Sequence, residues 1–429
     1  MKMGNSQVTS IILAGGQGTR LRPLTEARSK PAVPIGGKFR LIDIPISNCL
    51  HHDIRHICVL TQFASESLHR HIFQTYRLDN FSKGFVSVLA ASQTLDGKEN
   101  SKGGDKEEWY EGTADAVRKN LSNFKQAGDI VMLLSGDHLY RMDFTKFINF
   151  HIDNKADITL SVVPVPRSQV NELGVLKMDS SYKVKNFVEK PTDEKVITDF
   201  EIPASLREKC DGEEKTHVGS MGIYLFNKKV LFDILDKYDY NDFGKQIIPA
   251  AIDSYNVYAY PFTGYWEDIG TIKAFFDAHI SLTSTNPPFN FYDEENPIFT
   301  HARFLPAARF SGSNIDTSII CEGSMIDKAV ISESVIGVRS FIRSGSKLAR
   351  VIFMGADYFE PDTAKGPNLG IGKNCNIKNS ILDKDVRIGD DVQLINVKNI
   401  QDGEQDGITI RDGIIVVPKG MTVPSGYIL

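Results

Sequence analysis

VTSIILAGGQGTRLRPLTEARSKPAVP, residues 8–34, decides how the rest of the chain is read. Its opening, VTSIILA (8–14), is a short apolar run ahead of a glycine-rich turn, the pattern of a buried strand. Gly15, Gly16 and Gly18 then lack the Cβ atoms that would keep an anion away from backbone N–H groups. Arg20 and Lys30 can reach phosphate oxygens, Arg as a planar fork and Lys as a point charge. The string is neither GxxxxGK[ST] nor GxGxxG, so neither of those phosphate loops applies. A lone GGxG is usually a tight turn, and the signal comes from the whole string with its basic residues.

Outward from this string, HICVLT (56–61), GFVSVLAA (84–91), DIVMLLSG (129–136) and DITLSVVPV (157–165) read as further strands. SESLHRHIFQTY (65–76) and TADAVRKNLSNF (113–124) are amphipathic segments between them. The alternation predicts an α/β domain with a mostly parallel sheet, binding ligands beyond the carboxyl ends of its strands. Near residue 284 the texture changes: TSTNPPFNFYDEENPIF (283–299) has three prolines and no helical period, and reads as a linker wrapped on a surface. Farther on, apolar residues recur every six positions at Val330, Ile336, Ile342 and Leu348, and at Leu382, Ile388 and Leu394. Ile320 with Ile326 and Ile371 with Ile377 keep the same step. That step suits a parallel β-helix with apolar side chains filling a prism, a meander of short antiparallel strands being the alternative. The expected division is residues 1–283, a linker at 284–312, and a β-helix at 313–429.

At roughly 150 residues per domain, a chain of 429 suggests two or three. Forty-nine Lys plus Arg against 54 Asp plus Glu give a net charge of −5, which argues against a nucleic-acid binder. Against that background, residues 20–40 hold Arg20, Arg22, Arg28, Lys30, Lys38 and Arg40 with only Glu26 opposing. Six cations less one acid make +5, a candidate anion site of small extent. No run approaches the ~18 apolar residues of a membrane span, and MKMGNSQVTS is too polar for a signal peptide. Cys49, Cys58, Cys210, Cys321 and Cys375 form no CxxC, which favours a reducing, cytoplasmic setting and no zinc site.

WYEGTADAV (109–117), LLSGDHLYRMD (133–143), FVEKP (187–191), SMGIY (220–224), DFGKQIIP (242–249) and GYWEDIGT (264–271) follow the glycine string in order. With it they resemble the sugar-phosphate nucleotidyltransferases, and most closely the ADP-glucose pyrophosphorylases (glucose-1-phosphate adenylyltransferases), over nearly the whole chain. MGADYFE (354–360) and GIGKNCNIK (370–378) are similar to the plant and cyanobacterial branch. The resemblance implies a Rossmann-like catalytic domain followed by a left-handed β-helix, and adenylyl transfer from ATP to glucose 1-phosphate in glycogen or starch synthesis.

By resemblance, Gly15, Gly16, Gly18, Thr19, Arg20 and Gln93 bind ATP, and Arg20 and Lys30 serve catalysis. Tyr110, Gly174, Glu189, Lys190 and Ser220 take the sugar phosphate. Asp137 and Asp268 hold Mg²⁺, although each also reads as a cap or turn residue, Asp268 ahead of TIKAFFDAHI. Lys384 and Lys419 match activator lysines for 3-phosphoglycerate, phosphate being the expected inhibitor, and Gln62 and Trp109 match relay positions. A homotetramer in the cytoplasm, or in the plastid stroma for a plant-type protein, is implied too. Ser92-Gln93 stands where relatives often carry two glutamines, and TLDGKENSKGGDKEE (94–108) is a longer, charged loop. Competing readings are a relative using UTP, dTTP or GTP, and a regulatory subunit with weak catalysis.

Overall fold

The computed structural model describes residues 7–79, 84–91, 109–125, 127–202, 215–360 and 367–429. The opening apolar run is strand β1 (Val8–Ala14), almost wholly buried. It lies between two parallel neighbours, β2 (His56–Thr61) and β4 (Ile130–Ser135), with β3 (Phe85–Ala90) parallel to β2. Side chains alternate across a strand, so Ile11 joins Leu60 and Leu133 in one core, and Ile12 joins Val59 and Leu134 in the other. Burial on both faces is why these runs are continuously apolar.

Beyond this parallel block lie β6 (Ile158–Val165), β7 (Gly174–Met178), β8 (Val184–Glu189), β9 (His217–Asn227) and β10 (Val257–Pro261). Among the described residues they complete a nine-stranded sheet whose main path is β8-β7-β9-β4-β1-β2-β3, with β9 antiparallel to β4 and β10 parallel to β6. A separate ribbon joins β5 (His138–Tyr140) to β11 (Trp266–Asp268). The helix expected over 113–124 is α-helical only over Thr113–Lys119. Asn120 ends it by turning its amide to the Ala116 carbonyl at 2.9 Å and the Tyr110 hydroxyl at 3.0 Å. Asp268 does not cap the helix Ile272–Leu282; the Thr271 hydroxyl accepts from Ala274 N–H instead.

The C-terminal strands stack in parallel coils with three apolar rows. One row runs Ile315, Ile331, Leu348, Ile377, Leu394, and a second runs Ile326, Ile342, Ile371, Ile388, Val423. The third is Ile320, Ile336, Phe353, Leu382, Val417. Val330 is not in the core as the six-residue step required: it is 46% exposed, and Ile331 is buried in its place. The intervals from Ile326 to Ile331 and from Ile331 to Ile336 are five residues rather than six, so a strict hexad picks the wrong neighbour. Among the described residues of this part, antiparallel pairing is confined to Gly403–Gln405, Ile408–Arg411 and Ile414–Val417.

The two parts share a core. Ile352, Met354 and Ile381 of the β-helix pack in one cluster with Phe276 and Leu282 of the helix Ile272–Leu282. Arg28 and Asp383 form a buried ion pair at 2.9 Å across the same seam. The segment read as a surface linker is partly built in: Phe289 and Ile298 are buried, and Phe291 stacks on Phe39 with centroids 4.4 Å apart. Among the described residues no helix is long and apolar enough to cross a membrane.

Candidate active site

Past β1 the chain turns through Gly18, whose φ of 62° is left-handed. A Cβ there would stand 3.0 Å from Thr25 and 3.2 Å from Lys30, so glycine is needed for both backbone and space. Thr25 donates its hydroxyl to the Gly18 carbonyl at 2.8 Å. Two short 3₁₀ turns, Thr19–Leu21 and Lys30–Ala32, then bring Arg20 and Lys30 to one pocket of about 200 Å³. Gly16, Gly18, Thr19 and Asp137 line it with them.

Lys30 joins the two distant aspartates. Its Nζ lies 2.5 Å from Asp137 Oδ2 and 3.4 Å from Asp268 Oδ1. Asp137 stands just past β4, and Asp268 ends β11, where it is the register partner of His138. Oxygens of Asp137 and Asp268 and a nitrogen of His138 all lie within 4.8 Å of one another. Burial disfavours charge on Lys30, but Asp137 and Asp268 outweigh it and raise its pKa. Burial likewise opposes the Asp137 carboxylate, and the adjacent Lys30 ammonium is the main group that offsets it, holding the carboxyl well below the usual range. The Ser135 hydroxyl donates to Asp137 as well.

Beside this cluster opens a cleft of about 810 Å³, which shares Leu13, Gly16 and Asp137 with the smaller pocket. Gly15, Tyr110, Glu189, Tyr224 and Asp242 line it. A Cβ on Gly174 would fall 2.6 Å from Glu189 Oε2, and one on Gly244 2.7 Å away, so two glycines make the bed for this carboxyl. Burial raises the Glu189 pKa. Gly174 thus backs the cleft rather than lining it. Ser220 is buried and accepts from Gly222 N–H at 3.3 Å, while Lys190 is exposed with a left-handed φ of 50°. Gln62 and Trp109 sit in the cleft wall: Gln62 Oε1 accepts from Tyr110 N–H at 2.7 Å, and Trp109 stacks on Phe63 at 5.0 Å. Ser92, Gln93, the 94–108 loop and Cys210 lie outside the described residues.

A family model described as nucleotidyl transferase matches residues 9–285, and the GLGC left-handed parallel β-helix domain matches residues 303–428. The chain belongs to the nucleotidyl transferase family. The second match gives the prism its left hand, and the pairing is that of enzymes acting on nucleotides and sugar phosphates.

This nucleotidyl transferase has another polar cavity, of about 680 Å³, where its two parts meet. Lys384 and Lys419 are not the isolated surface charges that lysines usually are: both bind Asp357, at 2.6 and 2.5 Å. Burial, with Arg40 and Arg303 nearby, overcomes Asp357 and lowers the Lys384 pKa to about 8. Burial also lowers Arg40, to about 10. Arg303 and Arg339 carry no signal in the sequence, whereas Arg40 belongs to the basic run and Asp357 lies in MGADYFE. That run is not one patch. Arg20 and Lys30 line the glycine pocket, Arg40 the second cavity, Arg28 is paired with Asp383, and Lys38 lies 3.5 Å from Glu322. Arg40 lies just past the Gly36–Gly37 turn, whose φ angles are 56° and 83°. The four described cysteines are free and buried, and burial lifts the Cys49 thiol to about 12.

Proposed function

We propose that this chain transfers the adenylyl group of ATP to α-D-glucose 1-phosphate, forming ADP-glucose and pyrophosphate. The observation that carries the reading is the shared wall at Asp137 between a small cationic pocket and a large cleft. The small pocket suits a polyphosphate tail, and the cleft has room for a nucleoside and a sugar phosphate. The WYEGTADAV and GYWEDIGT strings favour the adenylyl branch over relatives using other nucleotides. The domain division stated from sequence, with catalysis in the first part, belongs to the same reading.

In this reaction a phosphate oxygen of the sugar attacks the α-phosphorus, the bond to the bridging oxygen breaks, and pyrophosphate leaves. The attacking oxygen is already anionic, so no general base is needed. What the reaction needs is two polyanions brought together in line, which makes positioning and charge neutralisation the main contributions. Arg20, Lys30, Thr19 and the amides of Gly15, Gly16 and Gly18 hold the leaving pyrophosphate, and Gln93 contributes to ATP binding. Lys190 clamps the sugar phosphate, Glu189 accepts from sugar hydroxyls, and Tyr110, Gly174 and Ser220 shape that end. Asp137 and Asp268 fit Mg²⁺, which takes hard oxygen donors and prefers one or two carboxylates plus substrate phosphates. When bound, the ion supplies charge neutralisation at phosphate oxygens.

The cavity of Lys384 and Lys419 takes a phosphate-bearing acid, with 3-phosphoglycerate activating and phosphate inhibiting. Gln62 and Trp109, in the substrate cleft, are then where activation arrives. A homotetramer in cytoplasm or plastid stroma completes the proposal. The deciding experiment measures pyrophosphate release from glucose 1-phosphate with ATP, UTP, dTTP and GTP. ATP is expected to exceed the others at least tenfold. Equal or faster release with another nucleotide overturns the adenylyl assignment, and negligible release with all of them points to a regulatory subunit.

A further inference from the structure

His138 neighbours Asp137 in the chain and pairs with Asp268 across the ribbon, and it is 8% exposed. Its two ring nitrogens meet different partners. Trp266 Nε1 lies 3.4 Å from Nδ1, with the rings edge-on at 82° and centroids 5.2 Å apart. An indole N–H only donates, so Nδ1 must be the acceptor, and the neutral imidazole then carries its proton on Nε2. Nε2 stands 3.5 Å from Asp137 Oδ1 and 3.8 Å from Asp268 Oδ1. The two oxygens of Asp137 are therefore divided, Oδ2 toward Lys30 and Oδ1 toward His138 and Ser135.

We infer that Trp266 fixes the His138 tautomer with its proton on Nε2, so that a polar N–H edge faces both carboxylates at 3.5 and 3.8 Å, making His138 a positioning residue rather than a third metal ligand. A ligand nitrogen needs a free lone pair. In this tautomer Nε2 has none, and the Nδ1 lone pair faces the indole. The assignment also suits the ion, since an all-oxygen set matches Mg²⁺ better than one including imidazole. The inference rests on the reading that Asp137 and Asp268 hold the metal. Groups that orient metal ligands typically change affinity about 10- to 100-fold when removed.

The test uses Mn²⁺ as a paramagnetic probe bound to the full chain without substrates. Pulsed electron paramagnetic resonance of the unmodified protein is expected to show no hyperfine coupling from a directly bound imidazole nitrogen. A Mn²⁺ titration is expected to give about tenfold weaker binding for His138→Ala and for Trp266→Phe, which keeps the ring but loses the donor. His138→Gln, whose amide N–H can replace Nε2–H, is expected to recover most of the affinity. Strong imidazole coupling in the unmodified protein, or unchanged affinity in His138→Ala, overturns the inference. Asp137→Asn separates the two levels. Undiminished Mn²⁺ binding in that variant ends the metal reading itself, while nitrogen NMR of labelled histidine still reports whether His138 carries its proton on Nε2.

Discussion

The two polar cavities are built around opposite ion-pair cores. In the first, one lysine, Lys30, is held by two aspartates, Asp137 and Asp268. In the second, one aspartate, Asp357, is held by two lysines, Lys384 and Lys419. The surroundings carry the contrast further, because Arg40, Arg303 and Arg339 line the second cavity. In the first, Arg20 and Lys30 balance the two carboxylates, whose hard oxygens can take a divalent cation, whereas the second has an excess of cation that an anion can satisfy. Burial strengthens both, since each group is screened less than it would be in open water. The shifts agree: two acids raise Lys30, whereas burial and two arginines outweigh the single acid at Lys384 and lower it.

The largest effect is expected where the comparison assigns a metal. Asp137→Asn removes one of two carboxylates while keeping shape, and kcat should fall about a thousandfold or more, the scale on which a lost electrostatic contact to the transition state is felt. The KM for glucose 1-phosphate should change little, because the substrates retain Arg20, Lys30 and Lys190. Steady-state kinetics with both substrates varied check this. Near-normal turnover would break the contrast between the cavities, leaving the first cluster as a structural ion pair.

Some of this contrast was legible in sequence and some was not. The glycine string gave the first strand and the Arg20–Lys30 pocket because those residues are local: two short turns suffice to bring them together. Asp137 and Asp268 came from a resemblance, since nothing local shows that β5 and β11 will pair. The six-residue step revealed the β-helix but misplaced Val330, where two successive intervals are five residues. The basic run looked like one site because charge counting ignores direction, whereas Arg20 and Lys30 line the first pocket and Arg40 the second cavity. An acid in a bend outside any strand, as Asp357 is, has no signature until lysines 27 and 62 residues away fold onto it.

A middle-sized effect concerns how the first site keeps its two anions apart. Lys190 follows Glu189 at the end of β8 and is assigned to the sugar phosphate, whereas Arg20 and Lys30 are assigned to the nucleotide. Lys190→Ala should raise the KM for glucose 1-phosphate by about 30- to 150-fold, roughly 2–3 kcal/mol for a charged contact, and leave the KM for ATP within about threefold. Parallel rises for both substrates would mean that the active site pools its cations as the second cavity does.

The smallest effect is a pH dependence that only the second cavity should show. Lys384 loses its proton near pH 8, well below an ordinary lysine, because burial and the neighbouring Arg40 and Arg303 disfavour its charge. Deprotonation removes one of the charges available to an anionic effector, so binding of 3-phosphoglycerate should weaken as pH rises. A bound anion raises the lysine's pKa, so full affinity persists below about pH 8 and falls by up to tenfold per unit above it. The effector does not contribute to that trend, since a phosphate monoester with its second pKa near ~6 is already dianionic there. Lys384→Arg keeps a charge that does not titrate in this range and should flatten the profile, even if the changed geometry lowers affinity at every pH. Activation curves at pH 7, 8 and 9 for both proteins distinguish the cases. The same slope in both would move the titration to another group and leave Lys384 as a partner of Asp357 alone.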